Sequence, residues 1–544
     1  MCFSIQEKIK KVPTRLWVLT AIICAGIFLQ TYNLHNWLDF GDDQVHDAIL
    51  IEEVVRGESP WPLLGPDMSD SGESGGRDNR FHIGPAYYYM QIASARIFGS
   101  ELENLAYPDL LFSILSIPLL YFFLKKYFSA SLSLVLAGLY ATSFYSLNSS
   151  HSAWNPHLIP FFAILFLLAV YEFVSAGSKT RWTWVALLGI ALGIGIQLHA
   201  IMLVLMPLFL FLIFIYLPWK DRGAWKKCLA VALVAIVLNS PQIISELRTD
   251  FSNTKVFFKS AQRTKEKSRL VDKVAKNIDC HFQANGHIIS GAGESNCQFL
   301  FANLFEQKKP EGYLREISNP LTAVKVMAAF MFSFFGYFLV VRNYREADRR
   351  KKIFISIVSL YILLAFLIMI PVVEEPLRYF IHLFFVPYIF LGLMIRQLSK
   401  KYSVNPSLLT AVSVAALAVL NIYSIYPTIK ELSLGARSSQ NAIVLGEMEK
   451  IADYIIAESD PEKTAYFNSA KKCANFYRPL AYVAERRGFD LIKDKENGET
   501  PSDANIFYLT RSDKSGVENN LENAEAKKFG QVVVYKFSPL EIGQ

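Results

Sequence analysis

The chain has 544 residues, 52% of them hydrophobic and 14% aromatic, with a formal net charge of +7. That composition is too apolar for an ordinary soluble protein, and apolar runs long enough to cross a bilayer core of about 30 Å recur between residues 16 and 427. The basic surplus sits in short loops between those runs, so it reflects membrane topology and excludes a nucleic-acid footprint.

In chain order, Lys8, Lys10, Lys11 and Arg15 precede a first predicted span at 16–33, which lacks a small-residue cleavage site and is long enough to remain an anchor. The loop 34–104 follows. It opens with Asp39, Asp42, Asp43 and Asp47, acid at the depth of lipid headgroups, where an enzyme acting on a membrane-soluble substrate needs a carboxylate. Residues 44–56 set Val45, Ala48, Ile51 and Val54 among Asp47, Glu52, Glu53 and Arg56, the pattern of a helix lying in the interface. Gly57 ends that helix, and Pro60, Pro62 and Pro66 extend the chain. A Gly, Ser and Asp-rich stretch then leads to Gly84-Pro85, the entry of a second helix. The two helices are expected to bracket a groove. A plainer role for Asp42 or Asp43 is to cap the following helix, and for Tyr87, Tyr88 and Tyr89 to form an aromatic belt at the membrane surface.

Further spans are predicted at 105–124, 130–147, 156–174, 182–198, 200–217, 228–246, 321–341, 353–371, 377–395 and 407–426, eleven in all. Lys and Arg alternate with them. Lys125 and Lys126, Lys179 and Arg181, Arg222 and Lys227, Arg349 and Lys352, then Arg396 and Lys401 fall on one side, which the positive-inside rule makes cytoplasmic together with the N-terminus. The loops 34–104 and 247–320 and the tail then face outward. The loop 247–320 is a candidate lid or a surface insertion, and Cys280 with Cys297 is a candidate disulfide in it. After residue 440 an amphipathic helix at 441–459 and strands at 464–467, 506–510 and 532–537 predict a small extracytoplasmic α/β domain, 440–544, behind a membrane domain of residues 1–430.

Several blocks together resemble a known class: Asp43-Gln44 before an amphipathic helix, Gly57, Leu64-Gly65-Pro66, Gly84-Pro85-Ala86-Tyr87-Tyr88-Tyr89, Trp154-Asn155-Pro156 after His151, and Pro376-Leu377-Arg378-Tyr379-Phe380. The pattern is similar to that of GT-C glycosyltransferases, in particular the family 39 protein O-mannosyltransferases and the lipid A aminoarabinose transferases. Gln44 stands where the family often has Glu, and Ile83-Gly84 replaces a Lys-Pro-Pro sequence, so the relatives' phosphate-binding Lys is not carried over.

The resemblance implies a mainly α, polytopic helix bundle that moves a hexose or related sugar, with inversion, from a polyprenyl-phosphate donor to a lipid, glycan or protein acceptor at the outer face of a cell inner membrane. Asp43 is the expected general base, with Asp42 as the alternative. Arg378, then Arg80 and His82, are expected at the donor phosphate. Gln44, Tyr88, His151, Trp154, Asn155 and Tyr379 are expected to line the groove. No cofactor is implied; the Asp-rich loop offers oxygen ligands to a divalent cation, but no motif calls for one. A transporter or flippase of lipid-linked sugar and a glycan polymerase are the competing readings. A transporter is expected to carry internal repeats and midplane charges, which the sequence does not display.

Overall fold

Apolar chain in lipid satisfies its amides only within its own helices, and the fold follows from that rule. The structure, a computed structural model, describes residues 13–68, 80–263, 269–291, 297, 320–370, 377–402, 405–433, 436–437, 442–493, 504–511 and 524–537. Seven helices in it are long and apolar enough to cross a membrane: Thr14–Thr31, Leu102–Leu124, Asn155–Lys179, Ala200–Lys220, Ala323–Glu346, Arg349–Met369 and Leu408–Ser433. Two further spans count if bent pairs are taken as one each, Ala130–Ala141 with Phe144–Ser150 at 51° and Arg222–Leu238 with Ser240–Arg248 at 62°.

Seven to nine of the eleven expected spans meet that length and composition among the described residues, and the breaks have local causes. Pro241 cannot continue the helix that ends at Leu238. Ser143 accepts the Ser146 N–H and so starts a new helix where one span was expected. The apolar run at 182–198 forms a helix of only 14 residues, Trp182–Gly195. The run at 377–395 begins as a 3₁₀ turn, Leu377–Leu383, and becomes α-helical only at Val386–Tyr402.

At the centre, Ile159–Ala176 is buried almost all round, with Phe162, Phe166 and Phe173 sealed between neighbouring helices. The basic loops gather at one end of the bundle. Lys126 pairs with Glu172, Lys227 donates to the Ser178 and Thr180 carbonyls, Arg396 lies over the Tyr127 ring, and Lys400 is 3.5 Å from Glu346.

Within the segment 247–320, residues 270–290 form a helix of the bundle, while 264–268, 292–296 and 298–319 lie outside the described residues. Its helix Leu270–Ser290 is packed into the bundle against Pro320–Glu346, with Asn277 donating to the Phe366 carbonyl at 2.8 Å and Asn285 to Ser333 Oγ at 3.2 Å. The amphipathic pattern of a polar helix in a polytopic chain is ambiguous, because polar side chains satisfied by neighbouring helices are as stable as solvated ones. Cys280 and Cys297 are joined as a disulfide. The remainder of the Gly-rich run after Gly291 lies outside the described residues.

Past the last long helix, β1 (Ala436–Arg437) pairs with β2 (Ala442–Ile443), and helix Leu445–Glu458 follows. A five-stranded mixed sheet then forms from β3 (Ala465–Ser469), β4 (Leu491–Lys493), β5 (Asn505–Arg511), β6 (Glu525–Phe529) and β7 (Val532–Phe537) in the order β4-β3-β5-β7-β6. β3 runs parallel to β4 and β5, while β7 is antiparallel to β5 and β6. β4 and β6 leave little trace in the sequence because they are short or carry charged residues along an exposed edge. This C-terminal part sits on the start of the first loop: the Leu445 N–H donates to the Leu38 carbonyl at 2.8 Å and the Phe40 N–H to the Ile443 carbonyl.

Candidate active site

The acidic stretch folds as helix Asp42–Arg56. Gly41 occupies the cap position, so Asp42 and Asp43 stand in the first turn, where the free N–H groups and the helix dipole favour negative charge. The capping role considered for them belongs instead to Gln44, whose Oε1 accepts the Gly41 N–H at 2.9 Å. Val45, Ala48, Ile51 and Val54 bury one face against helix Ala86–Phe98, and Gly57, at φ +80°, closes the helix in a conformation that side chains with a Cβ disfavour.

Both helices are locked by close approach of backbone. The Gly65 N–H donates to the Ile83 carbonyl at 2.7 Å, and a Cβ added at Gly65 would fall 2.1 Å from the Gly84 oxygen. Gln197 fills the space beside Gly84 and accepts the Ala86 N–H at 3.1 Å, so the Gly84-Pro85 block is explained by packing.

Asp43 and Asp47 are four residues apart and share a helix face. Asp42 and Asp43 are exposed; Asp47 is buried and hydrogen-bonded by the Tyr88 hydroxyl. Burial pushes the Asp47 carboxyl above its ordinary value against the bonds from His46 and Tyr88, and the Tyr88 hydroxyl is raised by burial and by the Asp47 charge. Burial also raises Asp42; Arg478, from the C-terminal part, opposes the shift and Asp43 adds to it.

Beside this pair lies a second. The Tyr87 hydroxyl donates to Asp109 Oδ2 at 2.9 Å, Asp109 Oδ1 accepts the Trp154 N–H at 3.1 Å, and His157 Nδ1 is 3.8 Å away. Tyr87 and Tyr88 are 0% and 2% exposed, which overturns the membrane-belt assignment for those two. A hydroxyl able to satisfy a buried carboxylate is worth more there than at a headgroup.

Gln44 donates through Nε2 to the Ala153 carbonyl at 3.1 Å, tying the acidic helix to the 151–156 segment. His151 is buried, with Nε2 3.0 Å from the Tyr32 carbonyl and Nδ1 3.0 Å from that of Leu147. Asn155 donates to the Leu198 carbonyl at 2.6 Å, and the Trp154 indole stands edge-on to His157. Arg80 is paired with Asp67 at 2.9 Å. His82 Nδ1 is 3.0 Å from the Gly65 carbonyl, and its backbone is held from both sides by the Asn253 amide of helix Ser252–Arg263. Arg378 lies on the Leu377–Leu383 turn with its side chain outside the described residues, while Tyr379 meets the His199 ring at 5.5 Å.

Two features were not foreseen from the sequence. Asp109 is the first; an acid one residue after Pro108 inside an apolar run was its signal. The second is a group of histidines under the Arg378 turn. His382 is 1% exposed with Nε2 unpartnered, His281 bonds the Tyr337 hydroxyl, and His199 accepts the Ile201 N–H through Nδ1. Only the fold brings these three chain-distant residues together. Among the described residues no three His, Cys, Asp or Glu side chains converge as a metal site.

Residues 82–244 match the family model for dolichyl-phosphate-mannose-protein mannosyltransferase. No curated protein matches the chain. Among solved structures, ArnT from Cupriavidus metallidurans bound to undecaprenyl phosphate shares 12% identity over 97% of this chain and 98% of its own, with a TM-score of 0.54. The apo form of the same protein gives 12% identity, 97% and 99% coverage and a TM-score of 0.53. The Archaeoglobus fulgidus oligosaccharyltransferase tethered to an acceptor peptide gives 14% identity, 92% and 69% coverage and a TM-score of 0.45. The fold is GT-C-like, and the chain resembles the family 39 O-mannosyltransferases and ArnT, the likeness its sequence blocks carry.

Proposed function

We propose that this protein is an inverting glycosyltransferase that moves a hexose or related sugar from a polyprenyl-phosphate donor to an acceptor hydroxyl at the outer face of a cell inner membrane. One observation carries the reading: two exposed carboxylates, Asp42 and Asp43, stand in the first turn of a helix whose third acid, Asp47, is sealed by Tyr88, at the end of the helix bundle on which the C-terminal sheet rests. The family-model match over residues 82–244 and the fold shared with an undecaprenyl-phosphate-bound protein support a lipid-linked donor.

In this reading Asp43 takes the acceptor proton as the hydroxyl attacks the anomeric carbon, and the sugar–phosphate bond breaks on the opposite face. Asp47 and Tyr88 keep the helix face in register. Asp42 is the alternative base. The departing lipid phosphate is met by Arg378, with Arg80 and His82 as further donors. The N-terminus is cytoplasmic, and the 440–544 part forms an extracytoplasmic domain. The acceptor is a lipid, glycan or protein.

Sugar transfer in proteoliposomes from polyprenyl-phosphate hexose or pentose tests the reading, comparing the parent with D43N, D42N and R378A. Loss of roughly a hundredfold or more in D43N is expected for removal of a general base. Unchanged turnover in both D43N and D42N sinks the base assignment, and movement of labelled lipid-linked sugar across the bilayer without transfer favours a flippase.

A further inference from the structure

The acidic helix has a partner that its own region of the sequence does not announce. Helix Tyr477–Glu485 of the C-terminal part lies against helix Asp42–Arg56, and Arg478, Tyr482 and Arg486 follow one another at four-residue spacing on one side. The Tyr482 hydroxyl donates to Glu52 Oε2 at 2.8 Å, and its ring lies 6.4 Å from that of Phe40, two residues before Asp42. Arg486 is 3.6 Å from Glu52 Oε1 and donates to the Ser100 carbonyl at 2.8 Å. Arg486 therefore pairs at the far end of the acidic helix, and Arg478, two turns back along the same side and one turn before the Tyr482 ring that meets Phe40, falls toward its start.

We infer that Arg478 is a charge-balancing residue of the proposed site: supplied by the C-terminal part, its guanidinium offsets the negative charge of the Asp42–Asp43 pair. The inference rests on the sugar-transfer reading, in which this helix start bears the base. The titratable and charged groups around it are Asp43, His46 and Asp47 on its own helix, Tyr87 and Tyr88 on helix Ala86–Phe98, and Arg478, Tyr482 and Arg486 on the C-terminal helix. Of these, Arg478 and Asp43 bear on Asp42 by charge, in opposite senses. Two adjacent carboxylates repel one another, and a cation beside them lets both stay ionised at lower pH. The C-terminal part thereby gains a role in the site, because it is docked on the first loop through contacts that run from Leu445 on Leu38 to Arg486 on Glu101.

The experiment uses the full-length protein in two readouts. The first is the pH profile of sugar transfer. The second, independent of activity, is carbodiimide labelling of Asp42 and Asp43 across pH, read by peptide mass spectrometry, since the protonated carboxyl is the reactive form. In R478Q the labelling midpoint and the acid limb of the profile move upward together by roughly half a pH unit or more. R478K, which keeps a cation, stays close to the parent midpoints, and R486Q leaves both midpoints in place. R478M, which keeps the aliphatic stem, carries the same expectation if R478Q does not fold.

An unmoved labelling midpoint in folded R478Q or R478M overturns the inference while leaving sugar transfer standing. A moved midpoint in a protein that transfers no sugar from any polyprenyl-phosphate donor overturns the functional reading and leaves the charge pairing.

Discussion

The two ends of the helix bundle handle charge in opposite ways. At one end Lys126, Arg396 and Lys400 meet a carboxylate or ring of a neighbouring loop and are partly or fully exposed, while Lys227 is buried on two carbonyls. The exposed ion pairs among them are worth about 0–1 kcal/mol each. At the other end Asp47 and Asp109 are taken out of water and satisfied by Tyr88 and Tyr87, neighbours in sequence that serve two different carboxylates. Burying an acid costs several kcal/mol unless it is fully bonded, so a fold that buries two beside an exposed pair has organised that end for more than stability.

The largest effect that separates the ends is expected for D109A, which leaves the Tyr87 hydroxyl and Trp154 N–H without their acceptor. A loss on the order of 3 kcal/mol is expected, read as a fall in melting temperature in detergent, while K126A costs under about 1 kcal/mol. Equal losses would break the contrast. G65A comes next: with a Cβ 2.1 Å from the Gly84 oxygen, the two segments that bracket the site must part, at about 1–3 kcal/mol and with loss of transfer activity. If G65A melts and turns over like the parent, the tight crossing of those segments is not needed.

A smaller effect concerns Asp42. Burial raises its carboxyl above the ordinary 3.8, with Arg478 opposing the shift, so the folded state holds the proton more tightly than the unfolded chain. The cost to stability appears as pH climbs through the ordinary aspartate range, and D42N should remove that slope in a denaturation series taken across acid pH.

The smallest effect is expected at His35, which lies between Glu103 at 2.9 Å and Glu449 at 2.8 Å and so links the first loop to the C-terminal part. Burial alone would lower its value, but the bonds and charges of Glu449 and Glu103 outweigh burial and raise it above 6.5. With a raised folded value, its contribution is complete below 6.5 and is lost as pH rises through the folded value. Limited proteolysis of the C-terminal part should therefore speed up on the alkaline side in the parent, and H35Q should flatten that dependence.

Much of the architecture was legible because lipid imposes a single solution on apolar chain. The repeated runs, the helix at Asp42–Arg56, and the strands around 465–469, 505–511 and 532–537 follow from periodicity and composition alone. The span count was less legible. Whether Pro241 and Ser143 bend a helix within the bilayer depends on what neighbouring helices do with the freed amides, and helix Leu270–Ser290 was misplaced because its polar residues have partners that only packing supplies.

By itself the sequence determined that this chain is a multi-span helical protein with acid gathered behind its first span, since hydropathy and charge act through local pattern. The tertiary structure alone decided which acids are sealed, that the tyrosines serve carboxylates, and that Arg486, far along the chain, pairs with Glu52 of the acidic helix. Long-range pairing of charges is a matter of distance in space, and no pattern along the chain encodes it.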